Sequence, residues 1–480
     1  MKPACHAKFV PKCLTPSGSR DFERLNAQKA DAGDIPFGER VACVLMLAEI
    51  VLITWLGSGT RPEFLLPMLW VSVAMFFASA FSAHGRGVPT YVKISFWCGI
   101  LVVLINAVQI ANPSFEYVVY ERHNDLQPLA HVSWLPVSVK SDFFTGDALR
   151  SLARIVAAFS VFMSAGIIFR WKRIARLCLV FFAINATAMA AWGIFQRHAE
   201  MPIMYDAFFS ISGFYGSFFL SNAAGAFINL GLAANFALVF MSARLAKASF
   251  KIAACTLFLL LAAVCVFSCY YSGSSGALGM SAVTCIVFAG ASVYSLLRAR
   301  FSVGASLSFV VFAAVFICVA SGFALRPFIA GKPDLEKNIR ISAESRMEIY
   351  AAAFETVKDN PLWGVGGDCA RYYLPQTLRQ HDRKNSLFVT ADRAHSGFLE
   401  YLMEFGAVGF SAIAVAGIAW LFRFFREMRA LGVENFVMMV GAVLFLLHSC
   451  FDMHLHIPSA MLAGAVIAVL AVSPLKGEDE

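Results

Sequence analysis

Long apolar runs separated by polar segments make up most of this chain. A helix needs about 20 apolar residues to cross a bilayer, and hydrocarbon offers an unpaired backbone no hydrogen-bond partner. The pattern therefore predicts about twelve membrane-spanning helices. They lie near residues 41–57, 64–83, 91–111, 152–169, 177–195, 222–241, 252–270, 276–297, 303–324, 397–421, 435–450 and 458–473.

Composition supports the same interpretation. Of the 480 residues, 59% are hydrophobic and 15% are charged, which indicates an all-α polytopic membrane protein rather than a soluble domain. The net charge of +8 is explained by lysine and arginine in cytoplasmic loops, as is usual for proteins with many membrane spans. We therefore expect no nucleic-acid partner. Most cysteines fall within apolar runs, where they behave as small hydrophobic residues, and the sequence predicts neither a disulfide nor a zinc site.

Alternate loops are basic, which fixes a predicted orientation. The positive-inside rule places these loops, and both termini, in the cytoplasm. Residues 1–40 have no apolar stretch of signal-peptide length and are predicted to be a disordered cytoplasmic tail, residues 41–473 the membrane domain, and residues 474–480 a second tail. The basic residues of the inner loops are Arg86, Lys93, Arg170, Lys172, Arg173, Arg176, Arg244, Lys247, Lys251, Arg298, Arg300, Arg423, Arg426 and Arg429.

Three longer segments are left on the outer side, at 112–151, 196–221 and 325–396. Polar insertions of this length in a compact protein are usually functional. The longest contains an amphipathic pattern at 342–358, with Ser342 or Ser345 as its predicted cap and Asn360-Pro361 as its end. Its predicted buried stripe consists of Met347, Tyr350, Phe354 and Val357.

Arg346 lies in the first turn of this predicted helix, where the helix dipole opposes a cation. Something else must therefore favour the charge. One interpretation is pairing with Glu344 or Glu348 at the surface. The other is that the charge has a functional role.

A second polar stretch, ADRAHSGF at 391–398, precedes the tenth predicted span. Asp392 is the predicted N-cap, which places His395 in the first turn of the helix. The positive end of the helix disfavours an imidazolium, so His395 is a candidate general base at the membrane surface. A structural hydrogen-bonding histidine is the alternative.

Two other motifs are weaker. GVGG at 364–367 lacks the Lys and Ser/Thr of a phosphate loop, and we interpret it as a tight turn. In DMHLHIP, Asp452, His454 and His456 would supply three ligands from one short segment, which makes a poor cage. We therefore predict no metal and no other cofactor.

Five stretches together resemble the superfamily of O-antigen ligases and polymerases. SRMEIYAAAFETVKDNPLWGVGG (345–367) looks like the family's Ser-Arg, aromatic, Asn-Pro and Gly-x-Gly run, and DRAHSGFLEYLMEFGAVG (392–409) looks like its Ala-His segment. HSCFDMHLHIPSAM (448–461) is similar to its Asp, Leu-His-Ile-Pro segment. GSFFLSNAAGAFINLG (216–231) and WLPVSVK (134–140) are similar to its Gly-Thr-Phe and Leu-Pro-x-Ser elements.

The resemblance implies a GT-C-like glycosyltransferase of the bacterial inner membrane that transfers glycan from undecaprenyl diphosphate on the periplasmic face. It implies that Arg346 holds the lipid diphosphate and that His395 activates the acceptor hydroxyl, and it makes lipid A core or a lipid-linked repeat the expected acceptor. One departure is Ser275, which stands where members have an arginine. Either Arg393 or Arg371 supplies the missing charge, or the pyrophosphate is held less tightly.

The sequence leaves the acceptor open among those of a ligase, a polymerase and a protein O-oligosaccharyltransferase, because the same base and cations serve all three. The competing class is a transporter or flippase of lipid-linked oligosaccharide, which would concentrate polar residues along a path at the membrane midplane.

Overall fold

The structure is a computed structural model that describes residues 35–83, 87–120, 124–141, 147–199, 215–297, 333–381 and 391–475. Most of these residues are helical. The helices are α1 (Phe37–Trp55), α2 (Pro62–Ser82), α3 (Thr90–Ala111), α4 (Asp147–Ile168), α5 (Lys172–Ala199), α6 (Ser221–Ser242), α7 (Ala248–Tyr271), α8 (Ser275–Leu297), α9 (Pro333–Asp359), α10 (Ala370–His381), α11 (Gly397–Glu427), α12 (Val433–His448) and α13 (Pro458–Ala471).

Eight of the described helices are long and apolar enough to cross a membrane: α2 to α8 and α11. Helices α12 and α13 are apolar but shorter. Helix α1 carries the charged residues Glu39, Arg40 and Glu49. The predicted span at 303–324 lies outside the described residues. The protein is therefore a membrane protein with several spans, and the number twelve stays a prediction.

A small sheet interrupts the predicted all-helical fold. It lies in the first long outer segment and has the strand order β2-β1-β3, with β1 at Pro113–Val119, β2 at Asn124–Pro128 and β3 at Ser138–Lys140. Strand β1 is antiparallel to β2 and parallel to β3. Val139 of β3 packs against Val365 and Cys369, so the sheet covers the segment that follows α9.

Two polar residues within the predicted spans face other helices. The side chain of Asn229 donates a hydrogen bond to the carbonyl of Ala277 over 2.8 Å. The side chain of Asn235 donates to the hydroxyl of Thr187 over 3.0 Å. Both asparagines belong to α6, which is buried along most of its length, and their hydrogen bonds replace those that lipid cannot supply.

Basic residues of the predicted inner loops pair with acids at one end of the helices. Arg244, after α6, donates to both carboxylate oxygens of Glu434 at the start of α12, over 2.9 and 2.6 Å. Arg170, after α4, pairs with Glu39 in α1. The ends of α3 and α12 and the starts of α4, α11 and α13 meet at the opposite end of the bundle.

Helix α11 is broken at Gly406, and the GVGG segment fills the break. The backbone amides of Val365 and Gly366 donate to the carbonyls of Met403 and Glu404 over 2.8 and 3.0 Å. Gly406 itself has a φ of 61°. The predicted tight turn is confirmed, because Gly364 and Gly366 have φ values of 71° and 106°. These contacts satisfy the carbonyls that the break leaves without partners inside the helix.

We predict that Gly406→Ala strongly destabilises the protein. A Cβ at this position would lie 2.3 Å from the carbonyl oxygen of Leu362, and the positive φ adds strain. The expected loss is about 2 kcal/mol or more, measured as a lower melting temperature in detergent.

Gly417→Ala in the same helix is the matched control, because a Cβ there meets no atom within 4 Å. Equal melting temperatures for the two variants would contradict the role of the break.

Candidate functional site

Helix α9 carries the first candidate residue and begins earlier than predicted. It runs from Pro333 to Asp359, so the predicted caps Ser342 and Ser345 lie inside it, whereas the predicted end before Asn360-Pro361 is confirmed. The predicted buried face is partly wrong, since Met347 and Phe354 are 66% and 53% exposed.

The buried face of α9 instead consists of Ile349, Ala352 and Ala353, which pack against α10 and the start of α11. Small alanine side chains let the neighbouring helices approach closely, so packing selects this face over the bulkier stripe. The face that carries Arg346 and Tyr350 lies beside it and is half-buried.

Arg346 keeps its charge free of a counterion among the described side chains. No described carboxylate lies within ion-pair distance of Arg346, so the interpretation that it pairs with Glu348 is wrong; the side chain of Glu344 lies outside the described residues. Its charge acts on Tyr350, one turn further along α9. A half-buried guanidinium with no carboxylate within ion-pair distance among the described residues is able to bind an anion.

His395 lies in a loop that several contacts hold in place. The N-cap of α11 is Ser396, whose hydroxyl accepts a hydrogen bond from the amide of Leu399, so the prediction that Asp392 is the cap is wrong. His395 precedes this cap with a φ of 49°. Its carbonyl accepts a hydrogen bond of 3.2 Å from the Tyr350 hydroxyl.

The residue after the cap ties this loop to the segment that follows α12. The amide of Gly397 donates to the carbonyls of Ser449 and Asp452 over 2.8 and 2.9 Å. The structure thus brings the helix of Arg346, the loop of His395 and the 449–452 segment together at one end of the bundle.

A buried carboxylate, Asp368, gathers arginines from two distant segments. Its Oδ1 atom accepts hydrogen bonds of 3.1 Å from Arg154 of α4 and from Arg393 of the His395 loop. Its Oδ2 atom accepts one of 3.3 Å from Arg150. Burial alone would raise the pKa of Asp368, but the surrounding guanidinium groups lower it well below its ordinary value.

These five residues, Arg150, Arg154, Arg393, Asp368 and Glu400, are called the arginine network. Glu400 of α11 is fully buried and accepts a hydrogen bond of 2.6 Å from Arg393. The same carboxylate accepts one of 3.4 Å from the amide of Ala394. The network therefore fixes the residues just before His395.

Residues 256–414 match the family described as O-antigen ligase (Wzy_C). The match supports the assignment to the O-antigen ligase and polymerase superfamily. The match covers about a third of the chain and confirms the resemblance read from the sequence. It includes Ser275, Arg346, Arg371, Arg393 and His395. No curated protein matches the chain.

Two of the arginines in the O-antigen ligase segment already have acidic partners. Arg393 belongs to the arginine network, and Arg371 of α10 lies 3.9 Å from a carboxylate oxygen of Asp147. Their side chains are 14% and 15% exposed. Both are therefore paired with carboxylates, whereas no described carboxylate lies within ion-pair distance of Arg346.

Ser275 is exposed at the start of α8, so the site has room for a longer side chain at this position. The next residue, Gly276, has none. A Cβ there would lie 2.6 Å from Nε2 of His448, the last residue of α12. Ser275 therefore lies beside the region of Arg346, whose charge also reaches His448.

The two histidines of the DMHLHIP segment, His454 and His456, contact different side chains. His454 contacts the hydroxyl of Ser449 at 2.7 Å, whereas Nε2 of His456 lies 3.3 Å from Glu404 and 3.7 Å from Glu400. Burial lowers the pKa of His456 to about 3, against the opposing effect of Glu400.

Glu400, Glu404 and His456 bring one ligand atom each within 4.8 Å of one another, which a metal ion would accept. Arg393 already donates a hydrogen bond to the carboxylate of Glu400, and Arg154 donates one of 3.1 Å to the carbonyl of His456. These two nearby guanidinium groups would repel a metal cation. The three side chains therefore suit binding to arginine better than binding to a metal ion.

Sequence reasoning missed the partners of the arginine network. A signal existed, because Arg150 and Arg154 stand four residues apart at the start of an apolar run, as do Glu400 and Glu404. Charged residues at that spacing share one helix face and need partners when a membrane helix buries them.

We predict that Asp368→Asn destabilises the protein at pH 7 by about 3–5 kcal/mol, because it leaves buried guanidinium groups without their carboxylate. A lowered pKa in the folded protein means that the carboxylate stabilises the fold above the ordinary aspartate pKa of about 4, and that this contribution disappears as the pH falls through the lower folded value. The variant should therefore lose less stability than the wild type on acidification below about pH 4.

Melting temperatures measured across pH test this expectation. Asp359→Asn, at an exposed carboxylate that ends α9, is the control and should behave like the wild type. The same pH dependence in wild type and Asp368→Asn would refute the role of the network.

Proposed function

We propose that this protein transfers a glycan from undecaprenyl diphosphate to an acceptor hydroxyl at the periplasmic face of the bacterial inner membrane. The observation that carries the proposal is Arg346, a cation without a described counterion in the O-antigen ligase segment, on a helix that contacts the His395 loop. The polar residues gather at helix ends, which favours chemistry at the membrane surface over a transport path at the midplane.

The proposed role of Arg346 follows from the leaving group. Breaking the bond between the sugar C1 and its phosphate oxygen leaves both bonding electrons, and the new negative charge, on the diphosphate. A guanidinium group stabilises such an anion through paired hydrogen bonds, without a metal. Arg371 and Arg393 are proposed to add longer-range attraction while they keep their carboxylate partners.

His395 is the proposed base. The acceptor hydroxyl attacks C1 from the side opposite the diphosphate, and its proton passes to the imidazole as the new glycosidic bond forms. One in-line displacement inverts the configuration at C1. The position of His395 beside the membrane-spanning part of α11 suits a donor whose isoprenoid tail stays in the lipid.

A proteoliposome assay distinguishes this proposal from its main competitor, a flippase of lipid-linked oligosaccharide. The purified protein is reconstituted with labelled undecaprenyl-diphosphate glycan and acceptor. We expect labelled acceptor without net movement of the donor between leaflets. Translocation without transfer would establish the transporter instead.

The acceptor is open between a lipid A core, a second lipid-linked repeat and a protein hydroxyl. The lipopolysaccharide of a deletion strain on a gel decides among them. Loss of all attached polymer indicates a ligase, a single attached repeat indicates a polymerase, and an unchanged ladder indicates another glycan or a protein acceptor.

We predict that Arg346→Ala and His395→Ala each reduce transfer by at least about a hundredfold, with normal protein levels, since each removes a charge-stabilising or proton-accepting group. Initial rates in the proteoliposome assay measure the effect.

Matched controls are Arg429→Ala and His131→Ala, which remove exposed side chains elsewhere in the chain and should leave the rate unchanged. Near wild-type transfer by either site variant would remove that residue from the mechanism.

We also predict that Ser275→Arg folds normally and lowers the KM for the donor several-fold, because position 275 is exposed and a second cation would join Arg346. Gly276→Arg is the contrasting variant and should fold poorly, since His448 fills the adjacent space. A folding defect in Ser275→Arg would show that the position is packed rather than open.

A further inference from the structure

The hydroxyl of Tyr350, on α9, contacts the backbone of His395. Tyr350 follows Arg346 by four residues, so both side chains lie on one helix face. The hydroxyl donates a hydrogen bond of 3.2 Å to the carbonyl of His395. A single side chain thus connects the turn that carries Arg346 to the residue proposed as base.

Tyr350 is suited to act as a donor. Burial raises the pKa of its hydroxyl, with Arg346 opposing and Asp452 adding to the increase. The net shift keeps the phenol protonated throughout the neutral range, so the proton needed for the hydrogen bond is always present. Changes of pH near 7 therefore do not remove the donor proton.

The backbone of His395 needs such a contact. A φ of 49° is uncommon for a residue with a Cβ and persists where surrounding contacts hold it. Arg393 is fixed by the arginine network on one side, and Gly397 is fixed by Ser449 and Asp452 on the other. These contacts hold the neighbours of His395, whereas Tyr350 holds His395 itself.

We propose that Tyr350 is a positioning residue for His395, and that its hydroxyl sets the direction of the imidazole relative to Arg346. This inference rests on the proposed function, in which both residues act on the same donor and acceptor. Tyr350 touches the base through a backbone carbonyl and takes no proton in the reaction.

Two measurements on Tyr350→Phe test the proposal, because this change removes only the hydroxyl. We expect kcat to fall about tenfold while the KM for the donor stays unchanged, since one hydrogen bond is lost and Arg346 remains. We also expect faster amide hydrogen exchange, measured by mass spectrometry, in the peptide 391–399 and little change in other peptides.

Tyr373→Phe is the matched control. It removes another phenol of the outer segment, one that interacts with the side chain of Ser114, and should change neither kcat nor exchange in 391–399. Wild-type exchange of 391–399 in Tyr350→Phe would overturn the proposal, and so would a loss of activity that appears only as a higher donor KM. If the wild-type protein transfers no glycan, the exchange result still decides the contact, and only the proposed function fails.

Discussion

The buried carboxylate of Asp368 is the constraint on which the arrangement of the site depends. Guanidinium groups from α4 and from the His395 loop converge on one carboxylate that no solvent reaches. Two buried guanidinium groups that contact the same carboxylate would repel each other strongly if that carboxylate were absent. The ion pairs therefore determine where α4, the turn after α9 and the His395 loop lie relative to one another.

The break in α11 explains how Asp368 reaches that place. Gly364 and Gly366 let the chain pass directly against the broken helix, and Asp368 follows two residues later with a φ of 56°. The side chain of Gln109, at the end of α3, donates to the carbonyls of Trp363 and Glu404 and closes the junction. These hydrogen bonds thus hold the segment before Asp368 against the broken helix, and the arginine network fixes the position of Asp368 itself.

This architecture separates two uses of arginine. The arginines of the arginine network pair with carboxylates and hold the site end of the helices together, whereas no described carboxylate lies within ion-pair distance of Arg346. An anion bound there would meet a guanidinium group that has no described carboxylate within ion-pair distance. The match of residues 256–414 to the O-antigen ligase family and the hydrogen bond between Tyr350 and His395 point to the same region.

Local rules were enough to predict the helical membrane protein, the end of α9 at Asn360-Pro361 and the glycine turn, since apolar length, proline and positive φ each act within a few residues. They could not identify Ser396 as the cap in place of Asp392, or the buried face of α9, because competing local choices have similar energies and packing decides between them. The pairing of Arg154 with Asp368 spans 214 residues of sequence and exists only after folding. Sequence therefore determined which charged groups the chain carries, and the tertiary structure decided which arginines and carboxylates pair, because those partners come together only when the helices pack.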